Sequence, residues 1–381
     1  MSSGLITSRR NRRTPYTDRV ETLGVSGYSI VNHTLLPKSF QRTLEEDYWH
    51  LKEHVQLWDV GCQRQVELRG PDASRLAQWM TPRDLRTMQV GQCYYAPLTD
   101  EYAGLLNDPV LIKRACDWYW FSIADSDVLL WAKGLALGMK FDVQVSEPDV
   151  WPLAVQGPRA EDLVASVLGD RIRRIRYFEF CECAFSGRDL VVARSGYSKQ
   201  DGFEIYLDDS TLGSALWDAL WQAGAGMQIA PGCPNLIERI EGGLLSYGNE
   251  MTRQNNPLEI NLDRFCHLDG EVDYIGRTAL ETIASNGPSQ RMRGVLIGGP
   301  PCPPCGKPWP VTVGETQVGQ ITSATWSPSF KENVALSLIQ KDYWTAGTQV
   351  TVQLPAGDKV KGTVVTLPFD TPNSAVVSGI S

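Results

Sequence analysis

The stretch ARSGYSKQDGFEIYL, residues 193–207, gathers more reactive side chains than any other part of this 381-residue chain. Ser195 to Gly202 is polar and bracketed by glycines, and Phe203, Glu204, Ile205 and Tyr206 then alternate as a strand. Glu204 and Tyr206 therefore share one face. If that face is inward, Glu204 is a buried carboxylate that needs hydrogen-bond donors; if outward, it is an ordinary hairpin acid. Alternation alone leaves both open. A second stretch, AGLLNDPVLI at 103–112, sets Asn107 beside Asp108 between two apolar runs, where a turn is the simplest reading. An amide standing beside a carboxylate there holds hydrogen bonds but moves no proton at neutral pH.

Other motifs carry less. HLKEH, 50–54, puts His50 and His54 one helical turn apart, as in zinc peptidases, but no third ligand can be named and a solvated helix face is the better reading. CPPC, 302–305, has the spacing of a redox or zinc half-site, yet its prolines and the flanking GGPP favour a rigid loop. No metal site is expected. The chain has no G-x-G-x-x-G after a strand, no Walker loop and no G-x-S-x-G elbow, and its four histidines leave a Ser-His-Asp arrangement short of bases.

The elements that must position these residues are repetitive. VELRGPDASRL (66–76) and LAVQGPRAEDL (153–163) both read as strand, Gly-Pro, then a helix with Pro in its first turn, which predicts two related α+β halves. A helix is predicted from Pro234 or Asn235 through LIERIEGGLLSYG, and SNGPSQ (285–290) has linker composition. Beyond it GVLIG, GQITSA, VALSLI, TQVTVQL and KGTVVTLPF are short strands between Gly and Pro turns, predicting a small β-barrel or sandwich. The expected division is 1–285, with lobes 1–58 plus 151–285 and 59–150, followed by a C-terminal domain at 286–381.

Composition bounds the function. With 42% apolar and 21% charged residues the chain reads as globular, and at this length as two or three domains. A formal charge of −8 argues against a nucleic-acid partner and leaves steering of small cations. The basic N-terminus SRRNRR is followed by no apolar segment and no stretch approaches a membrane span, so no membrane partner and a cytoplasmic location are expected. Nine scattered cysteines fit reduced thiols.

Read in order, WDVGCQRQVELRGPDASRL, VGQCYYAPLTDEYAGLLNDPVLIKR, LAVQGPRAEDLV, SGYSKQDGFEIYL, LIERIEGGLLSYGNEM, NNPLEINLDRF, YIGRTAL, GQITSATWSPSFKENVALSLI and VVTLPF resemble the glycine cleavage T-protein (aminomethyltransferase) family along nearly the whole chain. The resemblance implies an α+β, three-domain cloverleaf with a C-terminal β-barrel, holding tetrahydrofolate in a central channel. It implies that Glu204 anchors the pterin, with Tyr95, Tyr206, Ser195 and Arg239 also in the folate site. A carboxylate suits the two adjacent N–H donors of a pterin edge.

Departures from the family pattern narrow the chemistry. Asn107 stands where the family keeps the first of two aspartates, Ile123-Ala124 replaces an Asn-Ala pair, and Asn235 replaces an arginine. CYYAPLTDE, LNDPVLIK, SIADSDVLLWAKGLALG, GYSKQDG and PGCPNLIERIEGGLLSYGN look like the dimethylsulfoniopropionate demethylase branch, although that branch tends to carry Trp where this chain has Tyr197. Methyl transfer from a sulfonium to N5 of tetrahydrofolate releases a neutral thioether, so it needs alignment more than acid–base catalysis. On this reading Asn107 and Asp108 position N5 or the substrate, and Tyr95, Tyr197 and Tyr206, with Trp151 and Tyr94 as weaker candidates, face the cation. Lys199 takes the substrate carboxylate. The partner is a small sulfonium or ammonium methyl donor, and a homodimer is allowed. The alternatives are a demethylase of dimethylglycine or betaine, a glycine cleavage aminomethyltransferase, or a non-catalytic folate-binding regulator.

Overall fold

The computed structural model describes residues 8–369. These form two compact units: the described residues up to Asn235 with Arg264–Glu281, and Leu236–Asp263 with the described residues from Thr282 onward.

The first unit is built on two sheets. One is antiparallel and five-stranded, in the order Gln144–Ser146, Gln65–Arg69, Trp118–Ser122, Val110–Ala115, Cys93–Tyr95. The other is six-stranded, in the order Phe180–Phe185, Arg188–Ala193, Gly202–Leu207, Trp151–Gln156, Val55–Asp59, Ile229–Gly232, with only the last pair parallel. Side-chain parity sorts each strand between two environments. Val66, Leu68, Tyr119 and Phe121 pack with the helices Ala73–Met80 and Val128–Met139. Leu153, Val155, Phe203, Ile205 and Leu207 pack with the helices Ala160–Leu168 and Gly213–Ala223. The opposite faces meet each other: Cys93, Ile112 and Trp120 of the first sheet join Val191, Ala193 and Tyr206 of the second in one apolar cluster. The unit is thus helices, sheet, sheet, helices, and Glu204 and Tyr206 stand on the face of their sheet that meets the other sheet.

The two strand, Gly-Pro, helix repeats are real, one per sheet. Their prolines lie one residue before the N-caps Asp72 and Arg159 and not within the first turn. The backbone turns at Gly-Pro first, with Ala73 N–H bonding the Gly70 carbonyl and Ala160 N–H bonding that of Gly157.

In the second unit a closed six-stranded antiparallel barrel decides between the barrel and sandwich readings: Gln290–Ile297, Glu332–Gln340, Thr316–Ser327, Trp309–Val313, Gln349–Gln353, Lys359–Val365 and back to the first. Its interior is filled by Val295, Ile297, Trp309, Val311, Ile321, Ile339, Val352 and Val364. The helix expected through LIERIEGGLLSYG is shorter, Leu236–Glu241. Gly242 and Gly243 end it, and Gly243 takes the left-handed φ of 64° that terminates helices. Cys302 and Cys305 are both free thiols, and the Cys302 N–H bonds Asn333 Oδ1 at 2.7 Å, fastening the CPPC loop as a rigid connection.

Candidate functional site

Glu204 lies mid-strand, paired across from Ala154 on one side and Ala193 on the other. Those two small neighbours leave room for its carboxylate, which is buried at 5% exposure. The inward reading is the one the fold adopts. Ser195 Oγ donates to Glu204 Oε2 at 2.6 Å and the Tyr206 hydroxyl lies 3.4 Å from the same oxygen. Gln63 also bonds this carboxylate, and Ser122 bonds the Tyr206 hydroxyl, so residues of both sheets meet here. Burial raises the Glu204 carboxyl above its ordinary pKa, although Ser195, Tyr206 and Gln63 each oppose the rise. Burial, with Glu204 close by, likewise pushes the Tyr206 phenol well up.

The polar loop ahead of Glu204 is clamped by Gln156, whose side chain is fully buried. Its amide donates to the Ser195 carbonyl at 3.1 Å and accepts from Ser198 Oγ at 2.8 Å. This explains the bracketing glycines: a Cβ at Gly196 or Gly202 would sit 2.2 or 2.3 Å from the Gln156 amide. The clamp holds Ser195 beneath Glu204 and leaves Tyr197 half-buried and Lys199 exposed on the same loop.

A second cluster forms around Asp108. The Tyr95 hydroxyl donates to Asp108 Oδ2 at 2.6 Å, a short charge-assisted bond. Burial first, then the Asp108 charge, raises the Tyr95 phenol well above its usual range, and Tyr197 and Arg264 act on the same phenol electrostatically. Arg264 and Glu204 also both act on Tyr177. Phe265 meets Tyr95 edge to face at 5.2 Å between ring centres and lies under two guanidinium groups, Arg264 at 4.7 Å and Arg83 at 4.9 Å. Arg83 in turn donates to the Tyr95 carbonyl at 2.7 Å.

Asn107 is fully buried and its amide is committed to the scaffold. Nδ2 donates to Ser126 Oγ at 2.9 Å, Ser126 Oγ donates onward to the Leu106 carbonyl at 2.9 Å, and Oδ1 accepts the Ala124 N–H at 3.1 Å. Asn32 completes the arrangement by bonding the carbonyls of Cys62 and Ala124 and accepting the Ser126 N–H. The amide here is a structural donor and acceptor at once, which a carboxylate cannot be.

The fold brings Glu204, Ser195 and Tyr206 together, and Tyr95, Asp108 and Tyr197 together. Trp151 stands elsewhere. Its parity matches Leu153 and Val155, so it packs on the helix-covered face, and its indole donates to Asp149 at 2.6 Å. The sheet separates it from Glu204. Arg239 belongs to the second unit, where it is buried against Glu250 at 2.9 Å and donates to Ser323 at 2.7 Å. Tyr94 points to the helix-covered side with Arg83 stacked on it at 4.0 Å. His50 lies near the Gln228 carbonyl at 2.9 Å, and burial holds its pKa down to about 4. Among the described residues the one three-ligand cluster is His267, Asp269 and Glu271, two of them exposed. Arg86 bonds Glu271 and approaches His267, so that group reads as an ion-pair cluster. Residues missed from sequence were Gln63, Ser122, Arg83 and Phe265, since none sits in a chemically suggestive run and only tertiary pairing recruits them.

Comparison with known proteins agrees with this layout. The GCVT N-terminal domain model matches residues 16–270 and the glycine cleavage T-protein C-terminal barrel domain model matches 291–370. The chain belongs to this aminomethyltransferase family. It is 52% identical over 355 residues to the dimethylsulfoniopropionate demethylase DmdA of Ruegeria pomeroyi, covering 93% of this chain and 96% of that one. The aminomethyltransferase of Bacillus mycoides is 29% identical, covering 88% and 91%. The crystal structure of the glycine cleavage aminomethyltransferase T of Bartonella henselae superposes with a TM-score of 0.85 at 24% identity, covering 94% of this chain and 98% of that one. The mixed α+β T-protein fold with its C-terminal barrel is therefore shared. No helix among the described residues is long and apolar enough to cross a membrane.

Proposed function

We propose that this chain is a tetrahydrofolate-dependent demethylase that transfers a methyl group from dimethylsulfoniopropionate to tetrahydrofolate, giving 5-methyltetrahydrofolate and 3-(methylthio)propionate. Its 52% identity to a dimethylsulfoniopropionate demethylase over nearly the full length supports the substrate. The observation that carries the mechanism is the Asn107 amide, buried, with donor and acceptor both spent on Ser126 and Ala124. Releasing an amine from an aminomethyl group needs a proton to be moved at the reacting centre, and Asn107 can neither give nor take one. A sulfonium methyl group leaves its sulfur as part of a neutral thioether and needs none.

The buried residues suit a folate. Glu204 is a carboxylate whose ionisation is disfavoured by burial, and two adjacent N–H donors of a pterin edge would satisfy it. Tetrahydrofolate supplies N5 as the methyl acceptor. Ser195 and Tyr206 orient the carboxylate that holds it. In an in-line displacement the positive charge passes from sulfur to nitrogen, so a fixed carboxylate nearer the acceptor stabilises the transition state more than the ground state. Asp108, held by the Tyr95 hydroxyl, is placed in that role, and Asn107 acts by positioning it and the 124–126 turn. The faces of Tyr95 and Tyr197 receive the sulfonium, each worth about 0.5–2 kcal/mol, whereas Tyr206, expected from the sequence to share this role, is fully buried in the cluster between the sheets and acts through its hydroxyl on Glu204. Lys199 is assigned to the substrate carboxylate, and a cytoplasmic location suits both small-molecule reactants.

Anaerobic incubation of the purified protein with tetrahydrofolate and each donor, assayed for 5-methyltetrahydrofolate, tests the reading. Product from dimethylsulfoniopropionate is expected. Product from dimethylglycine or betaine instead would give the reaction type but refute the substrate, and folate binding without product from any donor would point to the regulator.

A further inference from the structure

Two cysteines outside this chemistry sit in an arrangement the sequence does not advertise. Cys181 and Cys183 lie two residues apart on Phe180–Phe185, so their side chains share a face, and their sulfurs are 3.5 Å apart. That strand is the edge of the six-stranded sheet, paired within the sheet only with Arg188–Ala193. Cys181 is partly exposed, Cys183 is buried, and Arg171 lies beside the pair, donating to the intervening Glu182 carbonyl at 3.2 Å. We propose that Cys181 and Cys183 form a peroxide-sensitive modification site, in which hydrogen peroxide oxidises Cys181 and Cys183 then closes a disulfide onto it.

The steps balance. The Cys181 thiolate attacks one peroxide oxygen, the O–O bond breaks, and water leaves after protonation, giving a sulfenic acid. The Cys183 thiol loses its proton as its sulfur attacks the sulfenic sulfur; the S–O bond breaks and a second water leaves. Two thiols are oxidised by two electrons and one peroxide is reduced. The thiol of Cys183, hydrogen-bonded to Cys181, and the nearby Arg171 charge both favour the Cys181 thiolate, whereas burial raises Cys302 and Cys305, the latter to about 11. The less conspicuous C-x-C pair is thus the reactive one and the C-P-P-C pair is not.

Residues two apart on a strand are about 6.7 Å apart at Cα, near the outer limit of disulfide geometry. Closing the bond must pucker the strand, which an edge permits, and a strained disulfide is easily reduced. The modification is therefore reversible.

Stepwise addition of hydrogen peroxide to the full-length protein, followed by thiol blocking and peptide mass measurement, tests this without reference to activity. The tryptic peptide Tyr177–Arg188 should lose two hydrogens about tenfold faster than Cys302 and Cys305 react, and dithiothreitol should restore it. In Cys183→Ser, dimedone should capture a sulfenic acid at Cys181, and Cys181→Ser should leave Cys183 unmodified. Oxidation of Cys116 or of the Cys302–Cys305 pair while Tyr177–Arg188 stays reduced would overturn the proposal.

Discussion

Replacing Glu204 by Gln tests the folate anchor at its most exposed point of logic. In the free protein the Gln amide oxygen can still accept the Ser195 hydroxyl, now 2.6 Å from Oε2, so the local fold should survive. The amide nitrogen must then point the other way, toward the space assigned to the pterin N–H groups, where it sets donor against donor. One charge-assisted hydrogen bond is lost, about 1.5–3 kcal/mol, and the opposing donors leave at least one group unsatisfied. The total is roughly 3 kcal/mol, or about a hundredfold in affinity for tetrahydrofolate. Anaerobic calorimetry across pH adds a second readout. Burial raises the Glu204 pKa in the free protein, and binding requires the ionised form. Wild-type affinity should therefore fall as pH drops through that raised pKa, while the Gln variant stays flat. Stability provides the folding control: a carboxyl whose folded pKa is raised costs stability as pH rises, so the variant should be no less stable than wild type at pH 8. Affinity within about threefold of wild type, or an unchanged pH dependence, would refute the assignment of Glu204.

Other outcomes follow from the same geometry. Asp59 is buried between Thr14 Oγ1 at 2.6 Å and the Gly61 N–H at 3.1 Å, yet burial still lifts its pKa to about 7. Its folded pKa exceeds the unfolded one, so stability should decline between about pH 4 and 7 by at most ~4 kcal/mol; urea midpoints should show this for wild type and a smaller decline for Asp59→Asn. Phe265→Leu and Tyr95→Phe should each lower kcat/KM and combine non-additively by about 0.5–1.5 kcal/mol, because both act through the Tyr95–Asp108 bond; simple additivity would make Phe265 mere packing. Asn107→Asp takes the donated hydrogen bond from Ser126, or turns Ser126 away from the Leu106 carbonyl, and should cost about 1–3 kcal/mol in thermal unfolding. It should create no aminomethyl transfer in a glycine cleavage assay, since Ile123 and Asn235 also differ from the family pattern.

Strand parity was legible from the start, and it is the part of the site that sequence reads best. Glu204 and Tyr206 share a face because they are two apart; which face was open until Ala154 and Ala193 were seen to flank Glu204. The same rule sets Trp151 with Leu153 and Val155, away from Glu204. The Ile229–Gly232 strand was illegible because Pro231 and Gly232 disguise it; its place at the sheet edge tolerates both. Tyr95 and Asp108 were each named, but their bond depends on Tyr95 pairing with Val110, a register no local pattern encodes. Phe265 and Arg83 are distant in the chain and meet where tertiary bonds tie 264–281 to the rest of the first unit, among them the His267 N–H to the Pro82 carbonyl at 2.7 Å and the Ile275 N–H to the Trp79 carbonyl at 2.9 Å.

The polar groups of the site divide by whether the free protein satisfies them. Asn107, Asn32 and Ser126 have their hydrogen bonds made internally, so they fix backbone and ask nothing of a ligand. Glu204 differs: its surroundings supply hydroxyl and amide donors, but burial still keeps its ionised form costly. A group of this kind costs the free protein stability as the pH rises from its unfolded pKa through its raised folded pKa, the full cost being present above the latter, and a ligand bringing N–H donors removes that cost on binding. Folate should consequently raise the unfolding temperature more at pH 8 than at pH 5. Glu204→Gln should abolish the difference between the two pH values, because an amide has no charge for the ligand to relieve.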